Sequence, residues 1–312
     1  MYNFSMQTFN HYTVLRNEAV EALECDNSDK IFVDATLGGG GHSELILSKI
    51  SNEGRLISFD VDPDAIEASK KRLSSYKNIT IVNDSYVNIK ENLLRLGIEK
   101  ITGGIIFDLG ASYHQLTSAQ RGFSFMKDAP LDMRFDKTSK FSAWDVVNKY
   151  KEQELVNIFS KYGEEHFSKR IARAIVNSRP VNTTLELVDI IKKSTPRVNS
   201  KTHCATRVFQ AIRIEVNNEL LNFENTLKEV VTLLNPGAII SVITFHSLED
   251  RVAKSVLKSF SLNCRCDRSV PVCKCGGKLI ELVNKKPICA CEAEIKENPP
   301  SRSAKLRIAR RV

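Results

Sequence analysis

Four consecutive glycines stand between a short apolar segment and a helical one, and nothing else in the chain restricts its possible folds as strongly. Lys30–Asp34 (Lys-Ile-Phe-Val-Asp) reads as a strand, Gly38–Gly41 as a tight turn, and His42–Ile50 as a helix carrying Leu45, Ile46 and Ile50 on one face. The rhythm continues. Arg55–Asp60 reads as a second strand, Pro63–Tyr76 as a helix with proline near its start, and Asn78–Val82 and Gly104–Leu109 as third and fourth strands. Alternation of this kind builds a parallel α/β sheet with helices on both faces.

Residues 119–207 break the pattern. They hold helical stretches at Ala143–Lys149, Glu152–Lys161, Phe167–Asn177 and Leu185–Lys193 and no convincing strand, so an inserted all-helical domain is expected. The α/β pattern resumes with a helix over Val208–Leu234, a Pro236-Gly237 stop and an apolar strand at Ala238–Phe245; Ser303–Ala309 reads as an edge strand. One domain is therefore expected from residues 1–118 and 208–312, including a Cys-rich basic segment over 261–300, with 119–207 as the insertion. A length of 312 residues suits two such domains, and 42% apolar with 26% charged residues is ordinary globular usage. No apolar run approaches the roughly 20 residues of a bilayer span. The opening residues lack a basic, apolar leader, so a cytoplasmic protein with reduced cysteines is expected.

Charge is segregated along the chain. The net charge of +8 divides into −5 over residues 1–118, +7 over 119–207, −3 over 208–253 and +9 over 254–312. Two basic blocks attached to an acidic body point to a polyanionic partner, nucleic acid above all.

In an open α/β sheet, ligands bind beyond the carboxyl ends of the strands, where glycines admit a close backbone approach and the next helix offers free N–H groups. The run Asp34-Ala-Thr-Leu-Gly38-Gly39-Gly40-Gly41-His42 fits that place, and Asp60, 20 residues past Gly40, is positioned to accept both hydroxyls of an adenosine ribose. This much fits a dinucleotide or S-adenosylmethionine. Asp62-Pro63 after the second strand, Asn83-Asp84-Ser85-Tyr86 after the third and Asp108-Leu-Gly110 after the fourth favour the latter, because acidic strand ends suit an adenosine and a cationic sulfonium. Tyr86 is suited equally to flank an adenine or to cap the sheet.

With these residues in view, the chain closely resembles the bacterial 16S rRNA (cytosine-N4)-methyltransferases of the Rossmann-like class I S-adenosylmethionine-dependent fold. The resemblance runs from His11-Tyr-Thr-Val-Leu-Arg-Asn-Glu18 through the glycine loop to Asp108-Leu-Gly110, Gln115-Leu116 and Arg121-Gly-Phe-Ser-Phe125. It continues at Pro130-Leu-Asp-Met-Arg134, Tyr162-Gly-Glu-Glu165, Thr206-Arg207, Phe209–Ile214, Phe245-His-Ser-Leu-Glu-Asp-Arg251 and Ser301–Arg307. It implies cofactor contacts at Gly40, Gly41, His42, Asp60, Tyr86, Asp108 and Gln115, an insertion that helps hold rRNA, and a substrate in the small ribosomal subunit. This chain departs from the usual family pattern with Tyr113 and His114 before Gln115, Cys204 in place of a proline and Ala129 in place of a glycine.

An exocyclic cytosine amine is a poor nucleophile, so the expected chemistry is alignment with the methyl donor plus an acceptor for the amine. Asp108 at a strand end is the expected acceptor, with Ser112 as a second and His246, after the 238–245 strand, as a base-orienting candidate. Arg121, Arg134, Lys169, Arg170, Arg173, Arg207, Arg302, Lys305 and Arg307 are the expected RNA contacts. His203 and Arg213 suit phosphate or fold contacts, and Phe123 and Phe125 suit base stacking or the insertion core. Six cysteines form three Cys-x-Cys pairs within residues 264–291, so a structural zinc on Cys264, Cys266, Cys273 and Cys275 is a candidate. The competing readings are an amino-methyltransferase of another nucleic acid and an RNA-binding ribosome assembly factor with a vestigial pocket.

Overall fold

The architecture follows from where the apolar strands end. A computed structural model describes residues 13–110, 121–196, 203–264, 266 and 276–312. Within them the chain divides into two units, one formed by the residues up to 110 and from 226 onward, the other by residues 111–225.

The first unit begins with helix α1 (Arg16–Glu21), then alternates β1 (Ile31–Asp34), α2 (Gly41–Lys49), β2 (Arg55–Asp60), α3 (Pro63–Arg72), β3 (Ile79–Asn83), α4 (Ile89–Arg95) and β4 (Gly104–Asp108). It is completed later in the chain by β5 (Ile239–Thr244), a helix over Ser247–Phe260, β6 (Ile280–Leu282), a short helix over Glu292–Glu297 and β7 (Lys305–Arg311). The seven strands lie in the order β3-β2-β1-β4-β5-β7-β6. The first five are parallel, and β7 runs antiparallel between β5 and β6. This is the mostly parallel, Rossmann-like α/β sheet that the strand–helix alternation predicts. Phe32, Phe59 and Phe107 are fully buried in it, and β5 is buried along its length because the sheet is covered on both faces.

Two expectations are corrected here. The stretch 303–309 is not an edge strand; β7 is flanked on both sides, and the edge is β6, three residues too short to leave a periodic signal. The expected helix over 208–234 is two helices, Thr206–Asn217 and Glu219–Leu233, broken at Asn218, which takes a left-handed φ of 49°.

The second unit contains α5 (Ala143–Lys149), α6 (Glu152–Gly163), α7 (Ser168–Asn177), α8 (Thr184–Ser194) and α9 (Thr206–Asn217), and no named strand among its described residues. Its helices start where the sequence supplies caps. Thr183 accepts from the Glu186 N–H while the Glu186 carboxylate accepts from the Thr183 N–H, and before α5 the Asp145 carboxylate accepts from both the N–H and the hydroxyl of Ser142 at 2.9 Å. Val147, Leu155, Phe159, Ile171, Leu187 and Ile212 fill its core. Because α9 contributes Val208, Phe209, Ala211, Ile212 and Val216 to that core, the second border falls after 225 and not after 207. The helix over Glu219–Leu233, α10, carries the chain across it.

Candidate active site

The parallel registers bring β1, β2 and β4 to their carboxyl ends along one sheet edge, beside the point where strand order reverses between β1 and β4. Each of the three strands ends in an aspartate: Asp34, Asp60 and Asp108.

Asp34 is fully buried. It accepts a hydrogen bond from the Ser43 hydroxyl at 2.7 Å and from the Thr36 N–H at 3.1 Å, and burial still pushes its carboxyl up to about 6. Thr36 in turn accepts the Asp108 N–H on its Oγ1 at 2.7 Å, which ties the ends of β1 and β4 together. Asp60 receives the Gly38 N–H at 2.8 Å on one carboxylate oxygen and the Asp62 N–H at 2.9 Å on the other. A further backbone hydrogen bond comes from Val61, which leaves the carboxylate acceptor capacity for another donor, and burial raises this carboxyl as well, to about 6.

Asp108 has its Oδ2 3.6 Å from the Nδ1 of His42, a ring only 3% exposed. Its Oδ1 is buried with no hydrogen-bond partner among the described residues. Burial first, then the negative charges of Asp34 and Glu249, hold the Asp108 carboxyl well above the ordinary carboxylate range.

The glycine loop turns through left-handed conformations at Gly38 (φ 49°) and Gly40 (φ 76°). Gly41 opens α2, and a Cβ on it would lie 1.8 Å from the Thr13 hydroxyl, so only glycine fits beside that side chain. Tyr86, partly buried, meets Phe107 edge-on with ring centroids 5.9 Å apart. Gly40, Gly41, His42, Asp60, Tyr86 and Asp108 thus all belong to one edge of one unit, while Ser112 and Gln115, with Tyr113 and His114, lie outside the described residues.

Several candidates have structural work instead. His246 caps the Ser247–Phe260 helix, α11: its Nδ1 accepts the Glu249 N–H, and the Glu249 carboxylate accepts the Phe245 and His246 N–H groups. Arg121 is only 5% exposed and donates to the Arg134 and Phe135 carbonyls, so it braces a loop and does not reach for a phosphate. Arg134 pairs with Asp132 at 2.7 Å and donates to the Lys137 and Ser139 carbonyls. Arg307, 8% exposed, pairs with Asp250 at 2.6 Å, and Lys305 joins the same carboxylate at 3.3 Å. Arg213 is locked to Glu219 through two bonds at 2.8 and 2.9 Å.

Phe123 stacks on Phe135, and Phe125 meets Phe209 edge-on, within or against the helical unit's core, while the other face of Phe125 is stacked by the exposed ring of His203. Lys169, Arg170, Arg173, Arg207 and Arg302 remain exposed. Cys264 is exposed and Cys266 half-buried, whereas Cys273 and Cys275 fall outside the described residues. Among the described residues no cysteine belongs to a group of three or more metal-ligating side chains. No helix there is long and apolar enough to cross a membrane.

Sequence reasoning missed Asp34, Thr36 and Ser43 as supports of this edge. The only signal was an acidic residue ending β1, and its burial is a property of the fold.

The model of the MraW methylase family matches residues 8–312. The ribosomal RNA small subunit methyltransferase H of Clostridioides difficile (strain 630) is 47% identical over 311 residues, covering 97% of this chain and 99% of that protein. The protein of the same name from Caldicellulosiruptor bescii is 49% identical over 308 residues, covering 97% and 100%. The one from Brevibacillus brevis is 45% identical over 312 residues, covering 98% and 99%. Matched along its whole sheet, glycine loop and insertion, the chain belongs to the MraW methylase family.

Proposed function

We propose that the protein transfers a methyl group from S-adenosylmethionine to the exocyclic N4 of one cytidine in the 16S RNA of the small ribosomal subunit, acting in the cytoplasm. The observation that carries this reading is the carboxylate edge around the glycine loop in a chain of the MraW methylase family. The donor set fits the methyl donor: Asp60 retains acceptor capacity for a ribose hydroxyl, and the buried Oδ1 of Asp108 lacks a partner among the described residues.

When bound, S-adenosylmethionine supplies an electrophilic methyl on a cationic sulfur, which departs as a neutral thioether while the N4 lone pair forms the new carbon–nitrogen bond. Asp60 holds the ribose and Tyr86 flanks the adenine. N–H groups at the start of α2 would help hold the donor. Asp108 accepts a hydrogen bond from N4 on Oδ1, which localises the nitrogen lone pair, and then takes the proton N4 must lose. A carboxyl of raised proton affinity suits that second task. Ser112 is proposed as a second acceptor and Gln115 as a further cofactor contact. The exposed Arg170, Arg173 and Arg207 of the helical unit, with Arg302 near the C-terminus, supply the RNA's phosphate contacts.

The test offers assembled small subunits, naked 16S RNA and DNA side by side with methyl-labelled donor, followed by nucleoside mass spectrometry. Label in a single N4-methylcytidine of the ribosomal RNA is expected. Equal labelling of DNA, or label in another nucleoside, overturns the substrate assignment.

A further inference from the structure

The outer face of the glycine loop is held by side chains at three of its carbonyls. The Ser69 hydroxyl of α3 donates to the Gly38 carbonyl at 2.7 Å, the Arg72 guanidinium of α3 donates to the Gly39 carbonyl at 3.1 Å, and the Arg16 Nε of α1 donates to the Gly41 carbonyl at 3.0 Å. Glu44, in the first turn of α2, joins the two arginines: its Oε2 accepts from Arg16 at 3.0 Å and from Arg72 at 2.7 Å. Three helices thus meet on one loop through a single carboxylate. The hydrogen bond from Arg72, followed by the Arg72 and Arg16 charges, holds that carboxyl below the ordinary glutamate range, so it stays ionised.

Peptide planarity gives this arrangement a consequence. In a trans peptide the C=O and the following N–H point in opposite directions, so fixing a carbonyl outward fixes the next N–H inward. The bonds to Gly38 and Gly41 therefore aim the Gly39 and His42 N–H groups toward the opposite face of the loop. The bond to Gly39 steadies the Gly40 N–H, which closes the turn on the Leu37 carbonyl at 2.8 Å. Glycines in left-handed conformations have many alternatives open to them, and such a loop does not hold one shape unaided.

We propose that Arg16 and Arg72, bridged by Glu44, are positioning residues for binding of the methyl donor: they clamp the glycine loop by its carbonyls so that its N–H groups are pre-aimed at the ligand. This rests on the donor reading given above. The clamp touches neither the donor nor the reacting atoms. It raises the fraction of molecules whose loop is ready to bind, and apparent affinity scales with that fraction. Arginine serves better than lysine here, because Arg16 reaches a carbonyl through Nε and the carboxylate through a terminal nitrogen at once.

The test measures S-adenosylhomocysteine binding by calorimetry, with steady-state methylation and thermal unfolding, on the full chain and on Arg16→Gln, Arg72→Gln, Arg16→Lys and Glu44→Gln. If losing one clamp bond cuts the competent fraction to about a tenth, Kd and the donor KM rise about tenfold. The account expects that rise in both glutamine variants, with kcat held within about twofold, and only partial recovery in Arg16→Lys. Glu44→Gln, which keeps both arginines on their carbonyls, is expected to give a smaller rise. Kd values within about twofold of the original in both glutamine variants overturn the clamp, as does a fall in melting temperature with no change in Kd. Absence of any uptake by the unaltered protein overturns the donor reading and the clamp with it, and that outcome is separable because it precedes any substitution.

Discussion

Asp34→Asn tests whether the buried carboxylate ending β1 costs the fold stability that the site needs it to forgo. The wild-type carboxyl is fully buried, and its proton affinity rises from an ordinary 3.8 to about 6. At about 1.4 kcal/mol for each pH unit, keeping it ionised costs about 3 kcal/mol of folding free energy above pH 6. The sign follows from proton counting. Below about pH 4 the folded and unfolded chains both hold the proton, and the cost vanishes. Between about pH 4 and 6 the folded chain holds a proton the unfolded chain has lost, so stability falls as pH rises, and above 6 the deficit is constant. Asparagine preserves the shape: it can accept the Thr36 N–H and donate to the Ser43 oxygen, whose hydrogen then turns to Ser58 Oγ, 2.9 Å away. The variant should be about 2–3 kcal/mol more stable at pH 8, a rise in melting temperature of about 5 °C, and only about 1 kcal/mol more stable at pH 4.5. Denaturant titrations at both pH values provide the measurement. A stabilisation that is the same at pH 4.5 and 8, or a loss at pH 8, refutes the reasoning. The substitution also removes one of the charges that raise Asp108, so the acidic limb of the methylation pH profile should move to lower pH.

Three further outcomes are expected. Arg121→Met should cost the fold about 2–4 kcal/mol, because two carbonyls lose a charged donor, while the folded fraction keeps its RNA affinity; denaturation and filter binding on one sample separate the two. Replacing Arg170, Arg173 and Arg207 together with Gln should weaken RNA binding and lower the slope of log K against log salt by about 2–3, and an unchanged slope would remove these residues from the interface. His246→Asn should leave methylation and stability nearly intact while His246→Ala costs about 1 kcal/mol, as for a helix cap; loss of turnover in a folded His246→Asn protein would instead mark a catalytic imidazole.

What the sequence discloses differs between backbone and side chains. Arg55–Asp60 and Ala143–Lys149 have the same limits as sequence pattern and as structure, because strand and helix periods are carried by the residues themselves. β6, at three residues, is too short to show a period, and so the sequence pattern places β7 at an edge it does not occupy. The break at Asn218 is hidden because apolar spacing continues through it, although asparagine is the residue that best tolerates left-handed backbone after glycine. Asp60 and Asp108 are legible as strand-end carboxylates because the limits of β2 and β4 are carried by the sequence pattern, and ligands of a parallel sheet collect at such ends. The arginines were read as one class. Whether each faces solvent, as Arg170 does, or is spent on internal carbonyls and carboxylates, as Arg121 and Arg307 are, depends on packing that no local pattern encodes.

The account stands on a nucleoside whose sugar is held by Asp60 above the glycine loop. Calorimetry with S-adenosylhomocysteine and its 3′-deoxy analogue, on wild type and Asp60→Ala, addresses that directly. One site per chain is expected in the wild type, with the missing hydroxyl weakening binding about tenfold there and scarcely at all once the carboxylate is gone. No uptake by the folded wild-type protein, or full discrimination against the deoxy analogue by Asp60→Ala, would contradict it.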